Sequence, residues 1–259
     1  MIFVQLASML EPSTYLIMAL IGVLTGFIDS IAGGGGLIMM PALLMTGITP
    51  IQALGTNKLQ SMFGTSIATA NYYRKGLFDI RPSLGKVALV FVGASAGVLA
   101  VQQLKPGMLG LIIPVLLMAS AAYVLLSPRM TDEDAHVRLS ARAYGPVGGA
   151  IGFYDGFFGP GTGSFFSTSL VALRGMGLTR ATALTKLLNL TSNVASVLFF
   201  AIGGKIVWTL GFAIAGGAMI GNYLGSHTAM KFGAKVIRPL LVTLSLGLTA
   251  KLLWQYFSA

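Results

Sequence analysis

Two glycine-rich stretches within very apolar sequence carry the residues with the clearest chemistry. The first, GFIDSIAGGGGLIMMPALLMTG over residues 26–47, combines Asp29 with a run of helix-breaking glycines. Its candidate substrate-binding positions are Gly33, Gly34, Gly35 and Gly36. A short helix that starts after such a break begins with unpaired N–H groups and the positive end of its dipole. Such a helix end is suited to hold an anion.

The second stretch, GFYDGFFGPGTGSFF over residues 152–166, repeats this design around Asp155. Its candidate substrate-binding positions are Gly159, Gly161, Thr162 and Gly163. One glycine run alone could equally serve close helix packing. Because the break recurs and a short apolar segment follows it each time, we favour two positive helix ends that converge on one anion.

Two lysines, Lys58 and Lys186, lie within apolar segments, where ionisable groups are costly and usually mark a pathway or a partner. Each begins a polar stripe at helical spacing. With the polar neighbours of the lysines, the predicted binding residues are Asn57, Lys58, Ser61, Thr185, Lys186, Asn189 and Asn193, and Thr65 and Thr69 extend the first stripe. The alternative is that both lysines snorkel from helix ends to the membrane interface.

Asp29 and Asp155 each precede a glycine break by four residues. A carboxylate beside an anion site opposes anion binding, so these side chains need not touch the substrate. Because buried charges are paired, we expect each to neutralise a lysine or to accept hydrogen bonds from freed amides. A proton-linked role during transport is the second interpretation.

The composition predicts an all-α polytopic membrane protein. Of 259 residues, 55% are hydrophobic and 9% charged, against roughly 25% charged in soluble domains, and the mean hydropathy is +0.82. Cysteine is absent and there are two histidines, so we expect no disulfide, metal or cofactor. The net charge of +10 would suggest nucleic-acid binding in a soluble chain, but in a membrane protein it indicates signals that orient the helices. We therefore expect a lipid bilayer as partner and no nucleic acid. Residues 1–13 lack the features of a removable signal peptide, so we expect the first span to be retained.

Ten apolar segments are bounded by glycine, proline and charged residues. They cover 14–32, 36–46, 51–73, 82–104, 107–127, 143–159, 163–173, 180–202, 206–228 and 236–257. The second and seventh hold about eleven residues against the roughly twenty that a spanning helix needs, so we expect half-length helices there. A charged linker, 129–142, separates a first membrane repeat, 1–128, from a second, 143–259.

The two halves are an internal duplication. GFID at 26–29 recurs as GFYD at 152–155, an offset of 126, and an offset of 128 aligns the two lysines. The same offset aligns Gly93-x-x-x-Gly97 with Gly221-x-x-x-Gly225, motifs that predict close helix crossing and could also form a homodimer contact. With five segments in each half, the second half enters the membrane from the opposite side, so we predict inverted repeats.

The distribution of positive charge fits this topology. With the linker on the cytoplasmic side, twelve Lys and Arg lie on that side and three on the other. The cytoplasmic set is Arg74, Lys75, Arg81, Lys86, Arg129, Arg138, Arg142, Arg174, Arg180, Lys231, Lys235 and Arg238; the opposite set is Lys105, Lys205 and Lys251. Aromatic residues near predicted helix ends are predicted to be interfacial anchors: Tyr72, Tyr73, Tyr144, Trp208 and Trp254.

Both glycine-rich stretches, with TNKLQS at 56–61 and TKLLNLTSN at 185–193, resemble the TauE/SafE-type sulfite exporter family of anion transporters, in particular its YfcA-like branch. The resemblance runs over nearly the whole chain. It implies a multi-pass carrier of the bacterial inner membrane for anions such as sulfite, sulfoacetate and related organosulfonates. It also implies that the central site lies at the glycine runs and the TNK and TKLLN residues.

We therefore predict a secondary transporter, not an enzyme, that binds a small sulfur-containing anion and exposes it alternately to the two sides. At about 100 mV, negative inside, expelling one negative charge gains roughly 2.3 kcal/mol, so we predict export. An anion channel would share the basic site and is the alternative. An intramembrane serine hydrolase using Ser164 is a remote alternative, because its candidate base, His227, falls at a predicted cytoplasmic end.

Overall fold

The computed structural model describes residues 11–126 and 131–233, and this part of the chain is mostly helical and contains no β-strand. Its nine α-helices are α1 Pro12–Ala32, α2 Gly35–Met45, α3 Pro50–Arg74, α4 Leu84–Gln102, α5 Pro106–Leu126, α6 Tyr144–Phe157, α7 Thr162–Arg174, α8 Leu178–Ile202 and α9 Trp208–Phe232. A 3-10 turn, Arg81–Ser83, leads into α4. The predicted all-α membrane fold is confirmed: nine predicted segments match these helices within four residues. The tenth, 236–257, lies outside the described residues.

Helix length separates spanning helices from half-length ones. Among the described residues, α1, α8 and the stretch Arg81–Gln102 are long and apolar enough to cross a membrane. The helices after the glycine breaks are short, with 11 residues in α2 and 13 in α7. At 1.5 Å per residue they extend roughly 17–20 Å, well short of a bilayer core of about 30 Å. The predicted half-length helices are therefore present.

The breaks before α2 and α7 depend on glycine backbone geometry. Gly33 ends α1 with φ of +74°, and its N–H donates to the Asp29 carbonyl at 2.8 Å. In the second half, Gly159 has φ of +98° and Gly161, which starts α7, has φ of +86°. Only glycine adopts such left-handed conformations without a steric cost. The glycines thus stop one helix and start the next within two to four residues.

The Gly-x-x-x-Gly motifs bring helices from opposite halves into backbone contact. A Cβ at Gly93 or Gly97 of α4 would overlap the carbonyl oxygens of Gly149 or Phe153 in α6. A Cβ at Gly221 or Gly225 of α9 would likewise overlap the carbonyl oxygens of Val23 or Phe27 in α1. The two sets of contacts are related by the offsets of 126 and 128 that relate the sequences. These glycines therefore serve packing within the chain.

Equivalent helices α3 and α8 run in opposite directions. The loop after α3 and the start of α8 share one end of the molecule, where Phe78, Ala135 and Arg180 line a single cavity. At the other end, Thr56 near the start of α3 accepts a hydrogen bond from the N–H of Val207, which follows α8, at 3.0 Å. This is the arrangement that inverted repeats require. The complete inverted repeat, which includes residues outside the described part, stays a prediction.

The anchor prediction is wrong for two of the five aromatic residues. Tyr72 and Tyr144 are fully buried, and their hydroxyl groups bond Ser30 O at 2.9 Å and Ser169 Oγ at 2.7 Å. Their positions near helix ends suggested an interface, but the neighbouring helices cover those ends. Tyr73 and Trp208 are exposed, as an anchor would be. Trp254 lies outside the described residues.

Candidate functional site

A small, partly open cavity lies where the two glycine breaks meet the polar stripes of α3 and α8. Its volume is about 30 Å³, which is room for about one water molecule. Its lining comes from both halves: Asp29, Gly33, Gly36, Asn57, Lys58, Ser61, Thr65, Asp155, Gly159, Gly161, Thr162, Gly163, Asn189 and Asn193. Residues predicted from separate parts of the sequence thus surround one place, which we call the central cavity.

The first ion pair of the site joins the two halves. The Lys58 ammonium on α3 donates to Asp155 Oδ1 on α6, and the two side chains are 3% and 5% exposed. Ser192 Oγ on α8 donates to the other carboxylate oxygen of Asp155. The carboxylate therefore has a charged partner and a neutral one, as a buried charge requires.

The second ion pair is the counterpart of the first. Lys186 on α8 donates to Asp29 Oδ2 at 3.1 Å and also to the Asp29 backbone carbonyl at the end of α1. The lysine is completely buried, whereas the Asp29 side chain is 21% exposed. Lys58 and Lys186 are equivalent in the duplication, as are Asp29 and Asp155, so each half supplies a lysine to the carboxylate of the other.

Both lysines are buried in ion pairs and do not reach the molecular surface. This geometry departs from the snorkelling alternative, in which the ammonium groups would lie in water. Each carboxylate is paired with a lysine, which is one of the interpretations that the sequence allowed, and the proton-linked role stays a prediction.

The two glycine breaks touch one another. A Cβ at Gly33 would overlap the backbone of Gly163 at the start of α7, and a Cβ at Gly36 would lie 3.2 Å from the Cα of Pro160. Ser164, also in the first turn of α7, donates to the carbonyl of Ala32 at 3.0 Å. The N-terminal ends of both half-length helices are therefore close to the central cavity, where their dipoles favour negative charge.

The polar stripes of α3 and α8 face each other across the cavity. Asn193 Nδ2 lies 3.4 Å from Thr65 Oγ1, which links the stripes. The side-chain oxygen of Asn189 is buried and has no hydrogen-bond partner among the described residues. An unsatisfied buried acceptor costs free energy, so this amide has unused capacity to bind a ligand or a water molecule.

A second, smaller cavity of about 10 Å³ adjoins the first through Asp29, Gly36 and Ser61, which line both. Its other lining residues are Thr25, Gly26, Gly35, Gln60 and Asn222. Sequence reasoning missed Asn222 and Ser192. Their duplicated positions are Ala94 and Gly64, so comparison of the halves contained no signal for them.

Four predicted binding residues do not line the central cavity. Gly35, in the first turn of α2, lines only the smaller cavity beside it. Gly34 lies within the first break, and Lys186 contacts the cavity only through its partner Asp29. Thr185 is buried, and its hydroxyl has no hydrogen-bond partner among the described residues. Its place beside a lysine in sequence turns it about 100° away on the helix.

The candidate nucleophile and base of the hydrolase alternative have other partners. Ser164 is bonded to Ala32, as described above, while His227 Nδ1 lies 2.8 Å from the Tyr223 carbonyl and 3.5 Å from Asn71. No contact joins the serine to the histidine within the described part of the chain.

Comparison with known proteins is decisive for the family. The model of the family described as sulfite exporter TauE/SafE matches residues 18–252. The chain belongs to this family. It is therefore a membrane transporter of the TauE/SafE type, as the resemblance of its glycine-rich stretches predicted.

Similar proteins come from several bacteria. The chain is 41% identical over 248 residues to the probable membrane transporter protein YfcA of Escherichia coli K12, covering 95% of this chain and 92% of the relative. It is 43% identical over 236 residues to a probable membrane transporter protein of Haemophilus influenzae, covering 91% and 92%. It is 45% identical over 231 residues to the probable membrane transporter protein ORF9 of a Sinorhizobium species, covering 89% and 88%. No solved structure matches the chain.

Proposed function

We propose that this protein is a secondary carrier that exports a small sulfur-containing anion, of the sulfite or organosulfonate kind, across the bacterial inner membrane. The observation that carries the proposal is the central cavity, where two buried lysine–aspartate pairs and two glycine breaks meet. Each half contributes one lysine, one aspartate and one break. Because the site lies between the two halves, movement of one half relative to the other would open or close it.

The charges of the site define how an anion binds. Both lysines are neutralised by carboxylates, so an anion gains a full partner only when a carboxylate gives up its lysine. The helix ends at the glycine breaks supply further N–H donors to the incoming anion. Substrate and carboxylate therefore compete for the same ammonium groups, and the empty site keeps its charges paired.

The volume of the central cavity supports alternating access. A space of about 30 Å³ holds roughly one water molecule, which is too little for a sulfite or sulfonate group. The site must therefore widen before it binds the anion. Opening toward one side at a time would produce carrier transport, with the membrane potential favouring outward movement of negative charge.

The test is transport of radiolabelled sulfite by purified protein in liposomes under an imposed membrane potential. Wild-type protein should move sulfite toward the positive side, and Lys58→Gln and Lys186→Gln should each abolish transport. Lys105→Gln, which removes an exposed lysine, is the matched control and should transport normally. Unchanged transport by both cavity variants would refute the proposal, and currents far above carrier turnover in a planar bilayer would favour the anion channel.

A further inference from the structure

Another cavity, much larger than the two described above, lies at the end of the molecule that carries the linker. Its volume is about 560 Å³, within the range of small-molecule sites. Its walls come from the loop after α3, the start of α4, the linker, and the α7–α8 connection. We call it the linker-side cavity. The exposed residues in its lining, which include Gly76, Ala135 and Arg180, make it accessible from the water.

Two cations in the lining of this cavity have no carboxylate partner among the described residues. Lys86 is only 8% exposed and donates to the Pro82 carbonyl at 3.1 Å. Arg174 donates to the Leu139 carbonyl. A lysine and an arginine that share one cavity with only carbonyl oxygens as partners leave positive charge uncompensated, and that charge favours a bound anion.

Acidic residues of the lining do not cancel this charge. Asp134 is bound to Arg180 at 2.7 Å in an exposed ion pair, and Asp79 is exposed to water. With these counted, the lining keeps a net charge of +1 from three cations and two carboxylates. The buried Lys86 and the half-buried Arg174 therefore leave the cavity with an excess of positive charge.

Two helices line both the central cavity and the linker-side cavity. Helix α7 lines the central cavity at Thr162 and the linker-side cavity at Leu170 and Arg174, while α8 lines them at Asn189 and Leu184. At 1.5 Å per residue, these positions lie about 8–18 Å apart along the helices. An anion held at Lys86 and Arg174 would therefore lie less than about 20 Å along α7 from the central cavity.

The basic residues belong to one side only. The duplication places Ile214 at the position equivalent to Lys86, Thr46 at that of Arg174, and Gln52 at that of Arg180. The opposite end of the carrier consequently lacks these three charges, although the surrounding sequence is repeated. The charges suited to attract an anion therefore lie on the linker side, which is the predicted cytoplasmic side from which an exporter would take its substrate.

We propose that the linker-side cavity is a second anion-binding site, formed by Lys86 and Arg174, that holds a free sulfite or sulfonate-type anion before it enters the central site. This inference rests on the proposed export function. It adds a site that concentrates substrate on one side, and it assigns that site a ligand of the same chemistry as the cargo.

The experiment measures how many radiolabelled sulfite ions bind per chain in phosphatidylcholine nanodiscs at low ionic strength. Wild-type protein should bind two. Lys86→Gln and Arg174→Gln should each weaken one of the two sites by about tenfold or more, because a charge-assisted hydrogen bond is lost. Lys86→Arg keeps the charge and should bind two, which separates loss of binding from loss of folding.

The matched control is Lys75→Gln with Arg81→Gln. It removes two positive charges from the same end of the molecule, at residues that do not line the cavity, and should leave two sites. If Lys86→Gln and Arg174→Gln bind as the wild-type protein does, the linker-side site is refuted. Loss of the second sulfite when phosphatidylglycerol is added to the nanodisc would assign the cavity to a lipid phosphate and would also refute a free anion there.

Failure of this proposal is distinguishable from failure of the export function. Lys186→Gln should remove the central sulfite and leave the linker-side one. If one sulfite remains in the wild-type protein and depends on Lys186 alone, the linker-side site is wrong and the central site stands. If the wild-type protein binds one sulfite and this binding depends on Lys86 and Arg174 alone, the central site is wrong and the linker-side site stands.

Discussion

At the scale of single residues, the crossed ion pairs are the main feature of the molecule. The sequence predicted both lysines as site residues, and pairing with a lysine was one of the roles that it left open for Asp29 and Asp155. It could not assign the pairing, because no residue type or spacing in the sequence distinguishes one lysine from the other as the partner of a given aspartate. The structure pairs Lys58 with Asp155 and Lys186 with Asp29, so each carboxylate takes the lysine of the other half.

Removal of one partner should cost more stability than removal of both. Lys58→Met leaves the Asp155 carboxylate buried and unpaired, and we expect a loss of about 3–5 kcal/mol of unfolding free energy. The double variant Lys58→Met, Asp155→Leu removes both charges and should recover most of that loss. Thermal unfolding of detergent-purified protein measures both. Additive losses in the double variant would show that the pair is not coupled.

Neutralising a carboxylate should strengthen anion binding and slow transport. Asp29→Asn removes the group that competes with substrate for Lys186, and we expect sulfite affinity to rise about tenfold or more. Turnover should fall, because the empty site can no longer pair its charge. Titration calorimetry and liposome transport measure the two effects, and Asp79→Asn, an exposed aspartate, is the control. An Asp29→Asn variant that merely loses a pH dependence of transport would support the proton-linked role instead.

At the scale of helices, the spacing of glycines predicted that α4 and α9 make close contacts, but it could not identify their partners. A Gly-x-x-x-Gly motif describes one surface, and the contacting helix is chosen by the path of the whole chain. Helix lengths and breaks were predictable because glycine and proline act locally. The burial of Tyr72 and Tyr144 was not, since it depends on helices that are distant in sequence.

Two glycines of α9 provide a matched test of the close crossing. A Cβ at Gly221 would overlap the Val23 carbonyl oxygen, whereas a Cβ at Gly216 would meet nothing within 4 Å. Gly221→Ala should therefore destabilise the protein by about 1–3 kcal/mol. Gly216→Ala should be neutral or stabilising by up to about 1 kcal/mol, since alanine favours the helix. Equal melting temperatures for the two variants would contradict the packing seen here.

At the scale of the whole molecule, the charge distribution predicted which segments share a side. The loop after α3, the linker and the α7–α8 connection were all assigned to the cytoplasmic side, and the structure gathers all three around the linker-side cavity. The absolute orientation in the membrane is not a property of the fold itself. It follows from how positive charges interact with the membrane during insertion.

The absence of cysteine from the sequence makes this orientation directly testable. Lys75→Cys and Lys105→Cys place single thiols at exposed positions that are predicted to lie on opposite sides. A maleimide that cannot cross membranes should label the Lys105→Cys protein in intact spheroplasts. It should label the Lys75→Cys protein only after permeabilisation. Labelling of both variants from outside would overturn the predicted topology.

The two aspartates differ in their hydrogen-bond partners and in their exposure to water. Asp155 is gripped by a lysine and a serine, but the position equivalent to Ser192 is Gly64, so Asp29 has no hydroxyl of that kind and its side chain is wetter. Separating Asp29 from Lys186 should consequently cost less free energy than separating Asp155 from Lys58. In the carrier cycle proposed above, an anion would first displace Asp29 from Lys186, while the Lys58–Asp155 pair would stay formed and hold the two halves together.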